Sequence, residues 1–120
     1  MKKILIVEDV DLNVDLLLQL LEDEYELVVA TDGAAGVSRA IEERPDLILM
    51  DMSLPVMDGY AATQAIRSNP ALNGVIIIGL SAHAMSGDKQ KALDAGCDDY
   101  VSKPIEIETL MRKMNEFLSL

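Results

Sequence analysis

The sequence predicts an α/β fold in which helices cover both faces of a parallel, five-stranded sheet. Four short apolar runs do not alternate apolar with polar residues, which is typical of strands buried on both faces. Segments with helical periodicity separate these runs. The chain has 120 residues, the size of one domain, and 50% of them are hydrophobic, so it can build a core. This alternation of strand and helix predicts a doubly wound sandwich.

The strands are predicted from the apolar runs in chain order. The strong runs are residues 4–7, 27–30, 47–50 and 75–78. A fifth run, Tyr100-Val101, is short and flanked by charge, as suits an edge strand. Periodicity leaves the strand order open, but either doubly wound order puts a ligand crevice at the carboxyl ends of the strands.

The helices are predicted from apolar residues spaced by three and four between the strands. Asp32 and Asp58 are predicted as N-caps of the second and third helices. The predicted apolar faces are Val14, Leu17, Leu18 and Leu21; Val37, Ala40 and Ile41; Ala61, Ala62, Ala65 and Ile66; and Ile107, Leu110, Met111, Met114 and Leu118.

The helix predicted over residues 86–95 differs from the others in having few apolar anchors. They are little more than Ala92, Leu93 and Ala95, and the helix ends at Gly96, a residue that favours helix C-termini. A helix with so few anchors is expected at the low-stability end of the domain.

Composition excludes several classes of function. The formal net charge of −11 argues against direct binding to nucleic acid or to an anionic membrane. No apolar run approaches the ~18 residues of a membrane span, and the apolar run after Lys3 is too short for a signal peptide. One cysteine excludes an internal disulfide framework, so we expect a cytoplasmic protein.

Polar side chains follow four of the five predicted strands. Glu8 and Asp9 follow the first, Asp51 the third, Ser81 the fourth and Lys103 the fifth. Taken singly, an acid after a strand is more often a turn residue or a helix cap. Together, however, these groups are expected to meet at the carboxyl edge of the sheet.

Clustered carboxylates repel one another, and a bound cation relieves that repulsion. Oxygen ligands with open positions suit Mg²⁺, with Mn²⁺ as the alternative ion. Lys103 would then serve as a point charge for a phosphoryl oxygen, and Ser81 would donate a hydrogen bond to another. The sequence therefore predicts a hard-cation site that is open to a phosphate.

Four motifs, in this order, resemble the receiver domain of bacterial two-component response regulators. They are Glu8-Asp9, the run from Asp51 to Gly59 (DMSLPVMDG), Ser81-Ala82 and Lys103-Pro104. The resemblance covers the whole chain and implies a flavodoxin-like strand order 2-1-3-4-5 and a cis Lys103-Pro104 bond. The stretch over residues 81–88 resembles single-domain regulators of the DivK type and receivers of hybrid kinases more than chemotaxis regulators.

The resemblance also implies roles at the site. Asp51 would be the phosphoacceptor, taking a phosphoryl group from a histidine kinase or a histidine phosphotransfer protein. Asp9 and Asp51 would hold Mg²⁺ directly together with the backbone carbonyl of Ser53, and Glu8 would act mostly through water. Ser81 would grip the transferred phosphoryl group, with Lys103 as its ionic partner.

Tyr100 matches the family's switch aromatic, although without the resemblance it reads as an aromatic residue on an edge strand. Phosphorylation is expected to move the helix over residues 86–95. That helix, Tyr100 and the last helix would form the surface for a downstream protein target.

The phosphodonor would dock on the exposed side of the first helix and Pro104-Ile105. By resemblance to the family, His83 and Ser53 would occupy positions where side chains tune phosphoryl lifetime.

Other functions remain as alternatives. A flavodoxin-type binding protein needs a phosphate loop after the first strand, where this chain has acidic Glu8 and Asp9. A haloacid-dehalogenase-like phosphatase needs Asp-x-Asp at the same place, and a binding-only pseudo-receiver typically lacks a site residue.

We expect residues 1–120 to be a free-standing receiver without an output domain. We expect it to be a monomer or weak dimer, and to have no enzymatic activity beyond its own phosphoryl chemistry. A receiver excised from a hybrid histidine kinase is the alternative.

Overall fold

A computed structural model describes residues 1–81 and 87–119. Strands and helices alternate along the chain, and a 3-10 turn over Pro70–Leu72 that was not predicted precedes the fourth strand. The strands are β1 (Lys3–Val7), β2 (Glu26–Ala30), β3 (Leu47–Asp51), β4 (Ile76–Ser81) and β5 (Asp99–Ser102). The helices are α1 (Asp11–Leu21), α2 (Gly33–Glu43), α3 (Gly59–Arg67), α4 (Asp88–Ala95) and α5 (Ile107–Leu118).

The five strands form one parallel sheet in the order β2-β1-β3-β4-β5, which confirms the predicted architecture. The order reverses at β1, since β1 pairs with β2 on one side and with β3 on the other. A crevice therefore opens beyond the carboxyl ends of β1 and β3, where open α/β sheets bind their ligands.

The core consists of two apolar clusters, one on each face of the sheet. The first contains Ala40 of α2, Ile66 of α3 and Ala92 of α4. The second contains Leu17 of α1 and Leu110 of α5. Burial of strands β1 and β3 between these layers explains why their sequences read as continuous apolar runs.

Three residues on the predicted helix faces are exposed. Ile41 and Ile107 are 48% and 44% exposed, and Ala61 is also on the surface. In α3 the buried position is taken by Thr63 instead, since the stripe that faces the sheet runs through Ala62, Thr63 and Ile66. The prediction was wrong here because apolar spacing locates a helical face only to within about one residue.

The fourth strand is longer than predicted and lies one residue later. It begins at Ile76 rather than Val75 and continues through Gly79 to Ser81. Gly79 does not break the strand, because the space that it leaves is filled by neighbours: an added Cβ would lie 3.0 Å from Met52 Cε and 3.4 Å from Cys97 Sγ.

Helix α4 begins at Asp88, and residue 86, where the helix was predicted to start, lies outside the described residues. Gly87, with φ 100°, precedes α4. Gly96, with φ 120°, ends it, which confirms the helix end that the sequence predicted. Among residues 1–81 and 87–119, no helix has the length and apolar character needed to cross a membrane.

Candidate functional site

Three carboxylates meet at the carboxyl edge of the sheet. Glu8 and Asp9 directly follow β1, and Asp51 is the last residue of β3, the neighbouring strand. One oxygen from each lies within 4.8 Å of the other two. Glu8 and Asp51 are 0% and 3% exposed, whereas Asp9 is exposed. The predicted juxtaposition of these acids is therefore present, with Asp9 on the solvent side.

Glu8 is held by four hydrogen bonds. Its Oε2 accepts from the backbone N–H groups of Asp9 and Val10 at 3.0 and 3.3 Å. Its Oε1 accepts from Asn13 Nδ2 at 3.1 Å and from Lys103 Nζ at 2.7 Å. Burial of a carboxylate requires such partners, and these four explain how a fully buried acid is tolerated.

Lys103 joins the two buried acids. Its Nζ lies 2.7 Å from Glu8 Oε1 and 3.3 Å from Asp51 Oδ2, and its side chain is only 15% exposed. Burial lowers the pKa of Lys103, but the hydrogen bond to Glu8 and the charges of Asp51 and Glu8 outweigh it, so the net shift of this pKa is upward. Lys103 is therefore a permanent positive charge between the acids.

Asp51 is oriented by the loop that follows it. Its Oδ1 accepts from the backbone N–H of Ser53 at 3.1 Å. The loop ends at Asp58, whose side chain accepts from Ala61 N at 2.8 Å and caps α3 as the sequence predicted. The phosphoacceptor candidate is thus attached to a strand on one side and to a capped helix on the other.

Ser81 and Tyr100 lie on the neighbouring strands. Ser81 ends β4 and is 2% exposed, and its carbonyl accepts from the backbone N–H of Lys103 at 2.6 Å. Tyr100 pairs with Gly79 across β4 and β5 and is half-buried against the core cluster that α3 and α4 cover. The third polar residue of this region, His83, lies outside the described residues.

Asn13 is a site residue that the sequence analysis missed. It lies in the first turn of α1 and donates to Glu8 at 3.1 Å. Its position in the sequence could have identified it. A polar side chain in the first turn of the helix that follows β1 lies beside the same crevice as the acids at the end of β1. The predicted site was built from residues that directly follow a strand, so it did not include a residue of α1.

The donor set suits a hard divalent cation. Among residues 1–81 and 87–119 it offers three carboxylates against one ammonium group, so an excess of negative charge is concentrated in a mostly buried pocket. At an effective dielectric constant of about 20, two carboxylates this close repel by roughly 3 kcal/mol before solvent screening. A small cation with oxygen ligands offsets this repulsion, and the chemistry of the pocket fits Mg²⁺.

Comparison with known proteins identifies the family. The family model described as response regulator receiver domain matches residues 4–115, nearly the whole chain. The polar-differentiation response regulator DivK of Brucella anthropi is 36% identical over 118 residues, covering 98% of this chain and 96% of that protein. Hybrid signal transduction histidine kinase G of Dictyostelium discoideum is 40% identical over 119 residues. That match covers 96% of this chain, which spans only 4% of the length of the kinase.

Solved structures agree with this assignment. The receiver domain of sensor histidine kinase PA1611 from Pseudomonas aeruginosa, which has a magnesium ion coordinated in its active site cleft, has a TM-score of 0.91 and 38% identity, covering 99% of this chain and 98% of that one. The receiver domain of Ssk1 from Saccharomyces cerevisiae was solved with the histidine phosphotransfer protein Ypd1. It has a TM-score of 0.90 and 34% identity, and the match covers 97% of this chain and 88% of that one.

Proposed function

Because the chain belongs to the response regulator receiver domain family, a family of phosphoacceptor signalling modules, we propose that Asp51 is the residue that receives the phosphoryl group. The observation that carries this assignment is the position of Asp51. It is a buried acid at the end of β3, its Oδ2 lies 3.3 Å from Lys103 Nζ, and its oxygens lie near Glu8 and Asp9.

We further propose a Mg²⁺ ion beside Asp51, with Mn²⁺ as the alternative. Asp9 and Asp51 would bind it directly, together with the backbone carbonyl of Ser53. Glu8 would act through water, since both of its oxygens already accept hydrogen bonds. When bound, the ion neutralises charge on the carboxylates and on the phosphoryl oxygens. The magnesium ion in the cleft of the related PA1611 receiver domain supports this choice.

The proposed reaction is an in-line phosphoryl transfer from a phosphohistidine. A carboxylate oxygen of Asp51 forms a bond to phosphorus while the bond from phosphorus to the imidazole nitrogen breaks, and the nitrogen keeps the electron pair. The product is an aspartyl phosphate, and attack by water later returns inorganic phosphate and Asp51. Lys103 stabilises the negative charge at both stages, and Ser81 is proposed to hold the transferred phosphoryl group.

The new phosphoryl group would rearrange the carboxyl edge of the sheet. It carries a charge of roughly −2 and competes with Glu8 for Lys103, while the hydroxyl of Ser81 donates to a phosphoryl oxygen. We propose that α4 and Tyr100 follow this movement and form, with α5, the surface for a downstream protein. Helix α4 is suited to move, because its buried residues are only Ala92 and Ala95.

The phosphodonor is proposed to be a histidine kinase or a histidine phosphotransfer protein that docks on α1 and Pro104-Ile105. Val10, Leu12 and Leu16 are 46%, 80% and 39% exposed, which gives this face an apolar surface beside the site. The complex of the related Ssk1 receiver domain with Ypd1 supports the class of partner. A cytoplasmic location would match such a donor.

Intact mass after treatment with a small acyl phosphate and Mg²⁺ tests the phosphoacceptor. Wild type should gain the mass of one phosphoryl group, and Asp51→Asn should gain none. Asp46→Asn is the matched control, because Asp46 is an exposed acid at the opposite edge of the sheet. Labelling of Asp51→Asn to the wild-type level would contradict the assignment.

Amide hydrogen exchange with and without a phosphoryl mimic tests the switch. We expect the amides of Asp88–Ala95 to change their protection, while those of α2 on the same face of the sheet stay unchanged. Equal protection of α4 in both states would refute its role in the switch.

A further inference from the structure

The loop between β3 and α3 contains a strained turn on the surface. Met57 N donates to Pro55 O at 2.7 Å across Val56, which has φ 68° and is 85% exposed. This is the rare form of γ-turn, and a β-branched residue adopts it only where the surrounding structure imposes it. Since the side chain of Val56 is exposed, contacts of the neighbouring loop residues hold this turn.

Two glycines contact this loop: Gly59, which directly follows it, packs on Met52, and Gly33 of α2 packs on Met57. A Cβ on Gly59 would lie 2.6 Å from Met52 Cα and 2.9 Å from Asp51 C. A Cβ on Gly33, the first residue of α2, would lie 2.7 Å from Met57 C, 3.0 Å from Met57 Cβ and closer still to Met57 O. These neighbours are mostly backbone atoms, which cannot rotate away. Each glycine therefore allows a close backbone approach that no other residue permits.

The loop carries the groups that orient the phosphoacceptor. Ser53 N donates to Asp51 Oδ1 at 3.1 Å, and the carbonyl of Ser53 is the proposed backbone ligand of the metal. A shift of the loop at Met57 would thus be transmitted to Ser53 and Asp51. The first turn of α2 is stabilised by its N-cap, because Asp32 Oδ1 accepts a hydrogen bond from Ala35 N at 2.7 Å.

We propose that Gly33 is a positioning residue for the phosphoacceptor site. Its missing side chain lets the first turn of α2 pack directly on the Met57 peptide, and this contact holds the loop so that Ser53 stays against Asp51. Gly33 touches neither metal nor phosphate and acts only through the loop. The inference rests on the proposed role of Asp51.

The test compares Gly33→Ala with two controls on the same chain. Gly74→Ala adds the same methyl group where nothing lies within 4 Å. Ala40→Gly weakens α2 at a buried position without adding an atom near the loop. Magnesium affinity by calorimetry and the phosphorylation rate with a small acyl phosphate are measured below the melting temperature of every variant, so that loss of folded protein does not enter.

Gly33→Ala should weaken Mg²⁺ binding about tenfold and slow phosphorylation by about 10- to 100-fold, because misplacement by about 1 Å has effects of this size. Both controls should keep wild-type values, although Ala40→Gly melts earlier. Wild-type affinity and rate in Gly33→Ala would overturn the inference, as would an equal loss in Ala40→Gly. If wild type itself takes no phosphoryl group, the proposed function fails instead.

A second variant covers the case in which Gly33→Ala does not fold. Val56→Gly removes the strain of the γ-turn, so the double variant Gly33→Ala/Val56→Gly can fold with a displaced loop. Its rate is compared with that of Val56→Gly alone. A rate at least tenfold lower in the double variant supports the positioning role, and equal rates overturn it.

Discussion

Both edges of the sheet carry acidic and basic side chains, but they differ in burial and in charge balance. At the amino edge, Lys3 pairs with Glu43 at 3.0 Å, its backbone N–H donates to Asp46 at 2.8 Å, and Arg67 pairs with Asp98 at 2.7 Å, all in partly or fully exposed positions. At the carboxyl edge, three acids surround one lysine, and two of those acids are almost completely buried.

The difference shows what each edge contributes. Exposed, balanced ion pairs add little to the free energy of unfolding, because solvent screens them and ordering their side chains costs entropy. A buried site with excess negative charge lowers that free energy unless a cation or a proton is bound. The carboxyl edge therefore has the excess charge and burial of a cation site, whereas the amino edge has the balanced charges of a solvated surface.

Lys103→Ala should lower the free energy of unfolding by about 3 kcal/mol in metal-free buffer, because it leaves the buried carboxylate of Glu8 without its cationic partner. Lys3→Ala is the matched control at the amino edge and should change stability little, since the Lys3 side chain is only partly buried and its partner Glu43 also reaches solvent. Urea unfolding with a chelator present measures both. Equal losses in the two variants would show that the edges do not differ.

Magnesium should stabilise the wild type by about 3 kcal/mol when its concentration is a hundred times the dissociation constant, since it binds the folded state preferentially. The shift in melting temperature between chelator and Mg²⁺ measures this effect. Asp9→Asn, which removes the exposed ligand, should reduce the shift, and Asp46→Asn should not. A shift of the same size in Asp9→Asn would show that the ion binds elsewhere.

Asp51→Asn should raise the free energy of unfolding in metal-free buffer by about 1 kcal/mol, because it removes one of three repelling charges while Lys103 keeps Glu8 as its partner. Asp46→Asn should not stabilise, because the carboxylate of Asp46 accepts a hydrogen bond from Lys3 N. Thermal unfolding of both variants gives the comparison. A lower melting temperature for Asp51→Asn would contradict the argument from crowded acids.

Local pattern predicted most of the architecture. Continuous apolar runs located the strands because both faces of a covered parallel sheet are buried, and Asp32 and Asp58 were identified as caps because a cap depends only on residues three positions away. The same local logic was wrong at Ile41 and Ile107, which are exposed. The rotation of a helix about its own axis decides which residues of its apolar face are buried against the sheet. The spacing of apolar residues along the chain does not determine that rotation.

The site was predicted to a similar degree. Glu8, Asp9, Asp51 and Lys103 could be placed together because parallel strands end at a common edge, and the motifs identified the family. The roles of these four residues, like those of Ser53, Ser81 and Tyr100, stay predictions. The extent of the domain as a receiver over residues 1–120 without an output domain also stays a prediction.

By itself, the sequence determined the fold class, the acids and lysine of the site and the family, because each depends on residue type and on spacing along the chain. Only the tertiary structure decided that Glu8 is buried and bonded to Lys103 and Asn13, and that Gly33 packs on Met57. Those contacts join residues from different elements. Their geometry depends on how the elements pack, and linear spacing contains no information about distances of this kind.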